Sequence, residues 1–256
     1  MIEFIKNLAI KAGEKSLEYY GKLNEGDVSG KGSKKDLVSI ADKAVEDFII
    51  SEIRKAYPDH GIFGEESGKS DSDSPYCWVI DPIDGTQNFV NNHPFYSISI
   101  SLFFEGAPIA GCINAPVLGK LFYAEKGKGA FEGNKRLSVT KCTSLDTASC
   151  ATGFAEFRQY RIEPTLTRFC QVAPKLRDIK RCGSAAIDLA FVAAGIYDGF
   201  WEYGLGLYDV GAGMLLVTEA GGIVSDFNRK NNVPYDGIVA AAPGIADELL
   251  DTLQIK

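Results

Sequence analysis

The residues best suited to chemistry are two acids, Asp81 and Asp84, in a segment that reads Asp-Pro-Ile-Asp-Gly-Thr-Gln-Asn-Phe over 81–89. Proline disfavours helical backbone at the residue before it, so we expect Asp81 to be extended at the end of a buried strand. Gly85 permits close backbone approach to a ligand, and a helix beginning at Thr86 would direct N–H groups toward a phosphate. Two carboxylates about 4 Å apart repel by ~4 kcal/mol at an effective dielectric near 20, and a cation between them removes that cost. Oxygen ligands favour Mg²⁺ or a similar hard ion.

Turn chemistry alone also explains this segment, because Asp, Pro and Gly are all common in turns. Two other acidic segments favour a metal site. Glu65 and Glu66 follow an apolar pair that resembles the end of a strand, although a solvated acidic loop is the alternative. Asp209 precedes a run of small residues that would allow a helix to pack closely, and its alternative role is to cap that helix.

Taken together, the motifs resemble the inositol monophosphatase family. They are Gly-Glu-Glu at 64–66, the segment at 81–89, Tyr-Asp-Val-Gly-Ala-Gly at 208–213 and Glu-Ala-Gly-Gly at 219–222. The resemblance extends to Lys31, to Asp42, to Lys-Gly-Lys-Gly-Ala-Phe at 126–131 and to Gly-Ser-Ala-Ala at 183–186, so it spans roughly residues 30–225. Several spaced motifs in one order are far more specific than any single motif.

The resemblance implies a site with two to three Mg²⁺ ions. A first ion would be held by Glu65, Asp81 and the main-chain carbonyl of Ile83, and a second by Asp81, Asp84 and Asp209. A third, looser ion would depend on Glu65.

The resemblance also implies roles in catalysis and substrate binding. Thr86 and Asp42 would orient the attacking water, with Glu65 as a further catalytic residue. The N–H groups of Gly85 and Thr86 would bind the phosphate. The substrate hydroxyls would contact three residues: Asp84, Ala185 and Glu202. Lys31 would be a cation near the metals or the phosphate, or else an ordinary loop lysine.

The implied reaction is Mg²⁺-dependent hydrolysis of inositol 1-phosphate or a similar small sugar or polyol phosphate, with a metal-activated water as nucleophile. Fructose 1,6-bisphosphate, histidinol phosphate and adenosine 3′,5′-bisphosphate remain alternative substrates, because Gln87 departs from the Thr usual in the family. The segment that contains Phe157, Arg158, Tyr160 and Arg161 could bind a second phosphate or form an exposed helix. A scaffold or regulatory binding protein with residual activity is an alternative of another class. The resemblance further implies lithium sensitivity and a homodimer.

The elements that must position these residues follow from apolar periodicity. Helices are predicted before Gly21, over 39–56, after Pro164, over 184–194 and over 209–220. Strands are predicted at 78–80, 96–104, 109–114 and 121–125, and near residues 179, 200 and 223. The pattern favours an antiparallel sheet in the first half and alternating α/β structure in the second. The resemblance implies a sugar-phosphatase-like αβαβα layered sandwich. We expect an N-terminal half, 1–140, to carry most metal ligands and a C-terminal half, 141–256, to complete the site.

Composition restricts the function classes. The 256-residue chain has a net charge of −7 and a pI near 5.0, so neither a nucleic-acid nor an anionic-membrane partner is expected. Only two histidines are present, which disfavours a histidine-rich zinc site. The six cysteines form no C-x-x-C pair, and the first residues lack the apolar run of a signal peptide. We therefore expect reduced thiols and a cytoplasmic location.

Overall fold

The computed structural model describes residues 1–30, 37–156, 163–230 and 232–254. The predictions for Lys31 and for residues 157, 158, 160 and 161 lie outside these ranges. Within them the helices are α1 (Ile2–Leu17), α2 (Ile40–Ala56), α3 (Thr86–Val90), α4 (Glu163–Val172), α5 (Ala185–Ala193), α6 (Leu207–Glu219) and α7 (Pro243–Thr252).

Strands in the first half are β1 (Val28–Gly30), β2 (Leu37–Ser39), β3 (Gly61–Gly64), β4 (Gly68–Lys69), β5 (Tyr76–Asp84), β6 (Ser97–Phe104), β7 (Ala107–Ala115), β8 (Lys120–Glu125), β9 (Gly129–Glu132) and β10 (Lys135–Arg136). Strands in the second half are β11 (Ser149–Thr152), β12 (Asp178–Lys180), β13 (Gly199–Glu202), β14 (Ile223–Ser225) and β15 (Ile238–Ala241).

Two sheets carry the architecture. The larger has eight strands in the order β10-β9-β8-β7-β6-β5-β3-β4, and all its neighbouring pairs are antiparallel except β3–β5. The smaller has five strands in the order β12-β11-β13-β15-β14, with β11 parallel to both of its neighbours. Strands β1 and β2 form a separate antiparallel pair. The predicted change from antiparallel to mixed α/β structure is confirmed.

Helices occupy three layers around these sheets. Helices α1 and α2 pack on one face of the larger sheet, and α6 packs on its other face. Helices α5 and α6 also contact strands of the smaller sheet, whose far side is covered by α7 with α4 against it. The order is therefore helix, sheet, helix, sheet, helix, which is the predicted αβαβα sandwich. Because α5 and α6 contact both sheets, the division at residue 140 stays a prediction.

The apolar periodicity of the sequence corresponds to these layers. In α1, Ile5, Leu8 and Ala12 are buried against the larger sheet, as their helical spacing predicts. In β6 the alternating serines are buried as well as the isoleucines, because α6 covers the serine face. A methyl group on Gly211 of α6 would lie 2.8 Å from the hydroxyl oxygen of Ser101. Small residues in α6 thus allow it to approach the sheet closely.

Some elements differ from the predictions. Strand β5 continues through Asp84, with an irregular register between Asp81 and Asp84, so these acids lie at a bulge and not on a turn beyond the strand. Several elements had no counterpart among the predicted ones, among them strands β9, β11 and β15 and helix α7. Among the described residues, no helix is both long and apolar enough to cross a membrane.

Candidate active site

Three acids from distant parts of the chain converge beside the larger sheet. Asp81, Asp84 and Asp209 each offer a carboxylate oxygen within 4.8 Å of the others, and all three side chains are buried. Strand β5 supplies the first two, and the first turn of α6 supplies the third. Burial, followed by the nearby carboxylates of Glu65, Asp84 and Asp209, raises the pKa of Asp81 well above its usual value. The charged form of Asp81 is therefore disfavoured unless a cation lies nearby.

Hydrogen bonds hold Asp84 from the other side of the site. The Oδ2 atom of Asp84 accepts a hydrogen bond from the Ser184 hydroxyl and another, 2.8 Å long, from the backbone N–H of Ala186. Ser184 is also the N-cap of α5, where its hydroxyl accepts from the N–H of Ile187. The Gly-Ser-Ala-Ala motif thus directs the start of α5 at a carboxylate 100 residues away in the chain.

Asp209 stabilises the start of α6, but not as the N-cap that the sequence suggested. Helix α6 begins at Leu207 with Gly206 as its N-cap. Asp209 is the third helical residue, and its Oδ2 atom accepts the N–H of Gly206 at 2.5 Å. A glycine has no side chain to cap the helix, so Asp209 reaches back to satisfy a backbone donor. Its carboxylate is thereby fixed toward Asp81 and Asp84.

A second acidic group lies next to the first. Asp42, Glu65 and Glu66 also bring carboxylate oxygens within 4.8 Å of one another. Asp42 is fully buried in the first turn of α2, where its Oδ2 atom accepts from the backbone N–H and the hydroxyl of Ser39. The hydroxyl of Thr86 lies 3.1 Å from the other oxygen of Asp42. The structure therefore brings together the two residues that were predicted to orient a water.

Thr86 has a second acceptor within reach. Its hydroxyl lies 3.2 Å from the carbonyl oxygen of Ile83, the main-chain atom that the resemblance assigns to a metal. A hydroxyl has one hydrogen and two lone pairs, so Thr86 can donate to one acceptor and still accept from a water.

The backbone at Gly85 is of a kind that glycine adopts readily. Its φ is +91°, and a methyl group there would lie 3.0 Å from the carbonyl oxygen of Gly183 and 3.1 Å from that of Phe95. The side chain of Asn88 ties the same two segments to α3, donating to the carbonyls of Phe95 and Cys182. Helix α3 begins immediately after Gly85, as predicted.

The predicted substrate-side residues lie at the ends of two elements. Ala185 is the first residue of α5, and Glu202 is the last residue of β13. The N–H of Ala155 donates to Glu202 Oε1 at 2.9 Å. A Cβ at Gly153 would lie 2.2 Å from Glu202 Oε2, so a side chain there would displace the carboxylate from this position. Asp188, buried in α5, was not among the site residues predicted from the sequence.

Asp188 adds a third buried carboxyl group on this side of the site, near Asp84 and Glu202. Burial, with the nearby carboxylates of Glu202 and Asp84, raises the pKa of Asp188 well above its usual value. No hydrogen-bond partner within the described part of the chain satisfies its Oδ1 atom.

The residues present fit a hard divalent cation. Both acidic groups offer only oxygen donors, which suits Mg²⁺ and disfavours soft transition metals. Buried carboxylates this close repel one another, and cations between them convert that repulsion into attraction. The assignment of particular residues to particular ions stays a prediction.

Comparison with known proteins identifies the relatives of this chain. A family model described as the inositol monophosphatase family matches residues 1–255. The chain belongs to this family. The predicted family and fold are therefore confirmed, and membership supports a metal-dependent phosphatase.

Individual members of the family show how close the relationship is. The Nus factor SuhB of Pasteurella multocida is 40% identical over 257 residues, which cover 99% of this chain and 96% of that protein. An inositol-1-monophosphatase of Mesorhizobium japonicum is 37% identical over 251 residues, covering 98% and 94% of the two chains. The crystal structure of the extragenic suppressor protein suhB from Bartonella henselae superposes with a TM-score of 0.91 at 37% identity, covering 98% and 97%.

Proposed function

We propose that the protein is a Mg²⁺-dependent phosphomonoester hydrolase that acts on inositol 1-phosphate or a similar small polyol phosphate. The observation that carries this proposal is the convergence of two acidic groups beside the start of α3. Without a cation such an arrangement costs free energy and repels a phosphate. With cations it becomes a site for an anion.

In this proposal the acids of the two groups hold the ions. Glu65, Asp81 and the carbonyl of Ile83 hold one, Asp81, Asp84 and Asp209 hold a second, and Glu65 contributes to a third. When bound, the ions neutralise charge on the phosphate ester and lower the pKa of a water. The protein itself orients the reactants and needs no nucleophilic side chain.

Thr86 and Asp42 orient the water. The Thr86 hydroxyl lies 3.1 Å from the Oδ1 atom of Asp42. The Oδ2 atom of the same carboxylate accepts a hydrogen bond from the backbone N–H of Ser39. This arrangement leaves a lone pair of the Thr86 hydroxyl to accept a hydrogen bond from the water. A proton from the water can then pass through the Thr86 hydroxyl to Asp42. The N–H groups of Gly85 and Thr86 bind the phosphate at the start of α3.

The substrate's hydroxyl groups contact Asp84, Ala185 and Glu202. Carboxylates accept hydrogen bonds from hydroxyls and repel a second phosphate. We therefore favour a neutral polyol over fructose 1,6-bisphosphate and adenosine 3′,5′-bisphosphate, and histidinol phosphate is a permitted alternative.

Phosphate release from these four substrates, with Mg²⁺ and with EDTA, tests the proposal. We expect Mg²⁺-dependent release that is fastest with the polyol phosphate and is abolished in Asp84→Asn. A preference for a bisphosphate would overturn the substrate assignment. Folded, metal-binding protein that hydrolyses none of the four would overturn the polyol-phosphatase proposal.

A second candidate is a regulatory binding protein with residual phosphatase activity. It is favoured by the full-length relatives that carry the name Nus factor SuhB. The Asp84→Asn variant separates the two functions in cells. Survival of the biological effect without hydrolysis would favour the binding role, whereas loss of both would favour the enzyme.

Three further proposals rest on the family resemblance: a homodimer, inhibition by Li⁺ and a cytoplasmic location. Light scattering after size exclusion tests the first, and Li⁺ titration of Mg²⁺-dependent turnover tests the second. Fractionation of the source cells tests the third. A monomeric mass would contradict the homodimer, and turnover that Li⁺ does not change would contradict the inhibition. Export from the cell would contradict the cytoplasmic location.

A further inference from the structure

The turn that carries Glu65 and Glu66 is fixed through its backbone. It follows strand β3, and three successive N–H groups all have buried or half-buried acceptors. The N–H of Glu65 donates to the carbonyl oxygen of Ile80, the residue before Asp81, at 3.1 Å. The N–H groups of Glu66 and Ser67 do not reach a strand.

Both of these N–H groups donate to one carboxylate, that of Glu46. The N–H of Glu66 lies 3.0 Å from its Oε2 atom, and the N–H of Ser67 lies 2.7 Å from its Oε1 atom. Each oxygen of the Glu46 carboxylate thus accepts one of these two N–H groups. Hydrogen bonds to an ionised acceptor are about twice as strong as neutral ones.

Glu46 is placed for this contact by its own helix and by the strand opposite. It is only 2% exposed, and it lies four residues after Asp42 on α2, so the two acids share one face of the helix. A methyl group on Gly64 would lie 2.7 Å from the Glu46 carboxylate, so the glycine leaves the space that the carboxylate occupies.

From this geometry we infer that Glu46 is a positioning residue for the proposed metal site. One rigid helix presents Asp42 and, one turn later, clamps the turn that presents Glu65 and Glu66. Glu46 therefore sets the separation of the acids in the second group. This inference rests on the proposed function, since it assumes that the group holds a cation.

The clamp requires a carboxylate and not merely a polar side chain. In Glu46→Gln, the amide oxygen accepts one N–H of the turn, but the amide nitrogen faces the other donor and cannot accept it. Side-chain volume hardly changes. The substitution should therefore loosen the turn without opening a cavity.

Direct metal binding tests the inference without turnover. Mn²⁺ binding to the full chain is measured by calorimetry and by electron paramagnetic resonance for wild type, Glu46→Gln and the control Glu52→Gln. Glu52 lies on the same helix and pairs with Lys55 at the surface, so its variant removes a charge without touching the turn. We expect Glu46→Gln to weaken binding at one site by about tenfold, as residues that orient metal ligands commonly do. Glu52→Gln should match wild type.

Turnover supplies a second readout. The Mg²⁺ concentration for half-maximal phosphate release should rise about tenfold in Glu46→Gln, while KM for the substrate in excess Mg²⁺ stays unchanged. A purely structural role would change thermal stability without this shift in metal dependence.

Gly64→Ala provides an independent variant that retains the Glu46 charge. Its methyl group displaces the carboxylate from the turn, and it should reproduce the binding defect; it carries the test if Glu46→Gln does not fold. Superimposable Mn²⁺ titrations for wild type and the folded variants would overturn the inference. Absence of Mn²⁺ binding in wild type itself would instead overturn the proposed function.

Discussion

The Asp81→Asn substitution should change metal-free and metal-bound stability in opposite directions. It removes one charge from the buried group that Asp81 forms with Asp84 and Asp209, and it preserves the size of the side chain. The Asn oxygen can still accept the N–H of Ile83, which donates to Asp81 Oδ1 at 3.0 Å. Its amide hydrogens gain neighbouring carboxylates as acceptors, Glu65 among them.

The magnitude follows from the spacing of the acids. Two unit charges 4.8 Å apart repel by about 3.5 kcal/mol at an effective dielectric near 20. Protonation relieves part of this cost, because burial and the neighbouring carboxylates raise the pKa of Asp81. Because the pKa of Asp81 is higher in the folded than in the unfolded state, the metal-free protein loses stability as the pH rises between these two pKa values. The loss of stability persists at neutral pH. We expect Asp81→Asn to recover about 2 kcal/mol there, or ~4–8 °C in Tm.

Thermal unfolding in EDTA and in saturating Mg²⁺ measures both effects. Wild type should gain about 2.7 kcal/mol at Mg²⁺ a hundredfold above its Kd, and Asp81→Asn should lose most of that gain. The control is Asp226→Asn, a buried acid outside the two groups, which should lower Tm equally in both conditions. A lower Tm for Asp81→Asn in EDTA, or a Mg²⁺ gain equal to that of wild type, would refute the reasoning.

Three further predictions concern residues around the site. Burial alone would raise the pKa of Asp226, but backbone N–H groups of residues 232, 230 and 228 lower it overall. The ionised Asp226 carboxylate therefore stabilises the fold at pH values above its unfolded pKa, and this stability is lost as the pH falls through its folded pKa. In urea unfolding, Asp226→Asn should cost ~1–3 kcal/mol at neutral pH and little in acid. Glu219 accepts hydrogen bonds from the N–H groups of Gly127 and Gly129, each at 2.7 Å. Glu219→Ala should cost ~1–3 kcal/mol in the same assay and leave the Mg²⁺ dependence of turnover unchanged. A changed Mg²⁺ dependence would contradict a purely structural role for Glu219. In Gly85→Ala the new methyl group lies 3.0 Å from a carbonyl oxygen at a φ of +91°, so Tm should fall by several degrees and phosphate release should be lost; an active, equally stable variant would show that the backbone there is not constrained.

Local signals in the sequence were sufficient for the acids and for most elements. The residue types of Asp81, Asp84 and Asp209, and the other acidic motifs in the chain, were enough to predict these acids as ligands. The structure brings their carboxylate oxygens within 4.8 Å of one another. Helical spacing predicted α2 to within a residue or two, because one apolar face of this helix follows the helical period. Helix α5 was predicted as closely, although all nine of its residues are buried. These features depend on neighbours in the chain, so the chain itself reveals them.

Strand β15 was not predicted, because its sequence has no clear period. Strand β15 and Ala242 after it form a continuous apolar run, Ile-Val-Ala-Ala-Ala, which fits a buried strand and a buried helix equally well. Only its pairing with β13 and β14 decides between them.

Long-range contacts decided the remainder of the candidate site. The Ser184 hydroxyl reaches Asp84 across 100 residues, and the N–H of Ser67 reaches Glu46 across 21. Residue type alone makes Glu46 one more acid on an amphipathic helix. The amino-acid sequence thus determined which acids are available, whereas the packing of α2 and α5 against the ends of the strands decided which of them meet and which hold others in place.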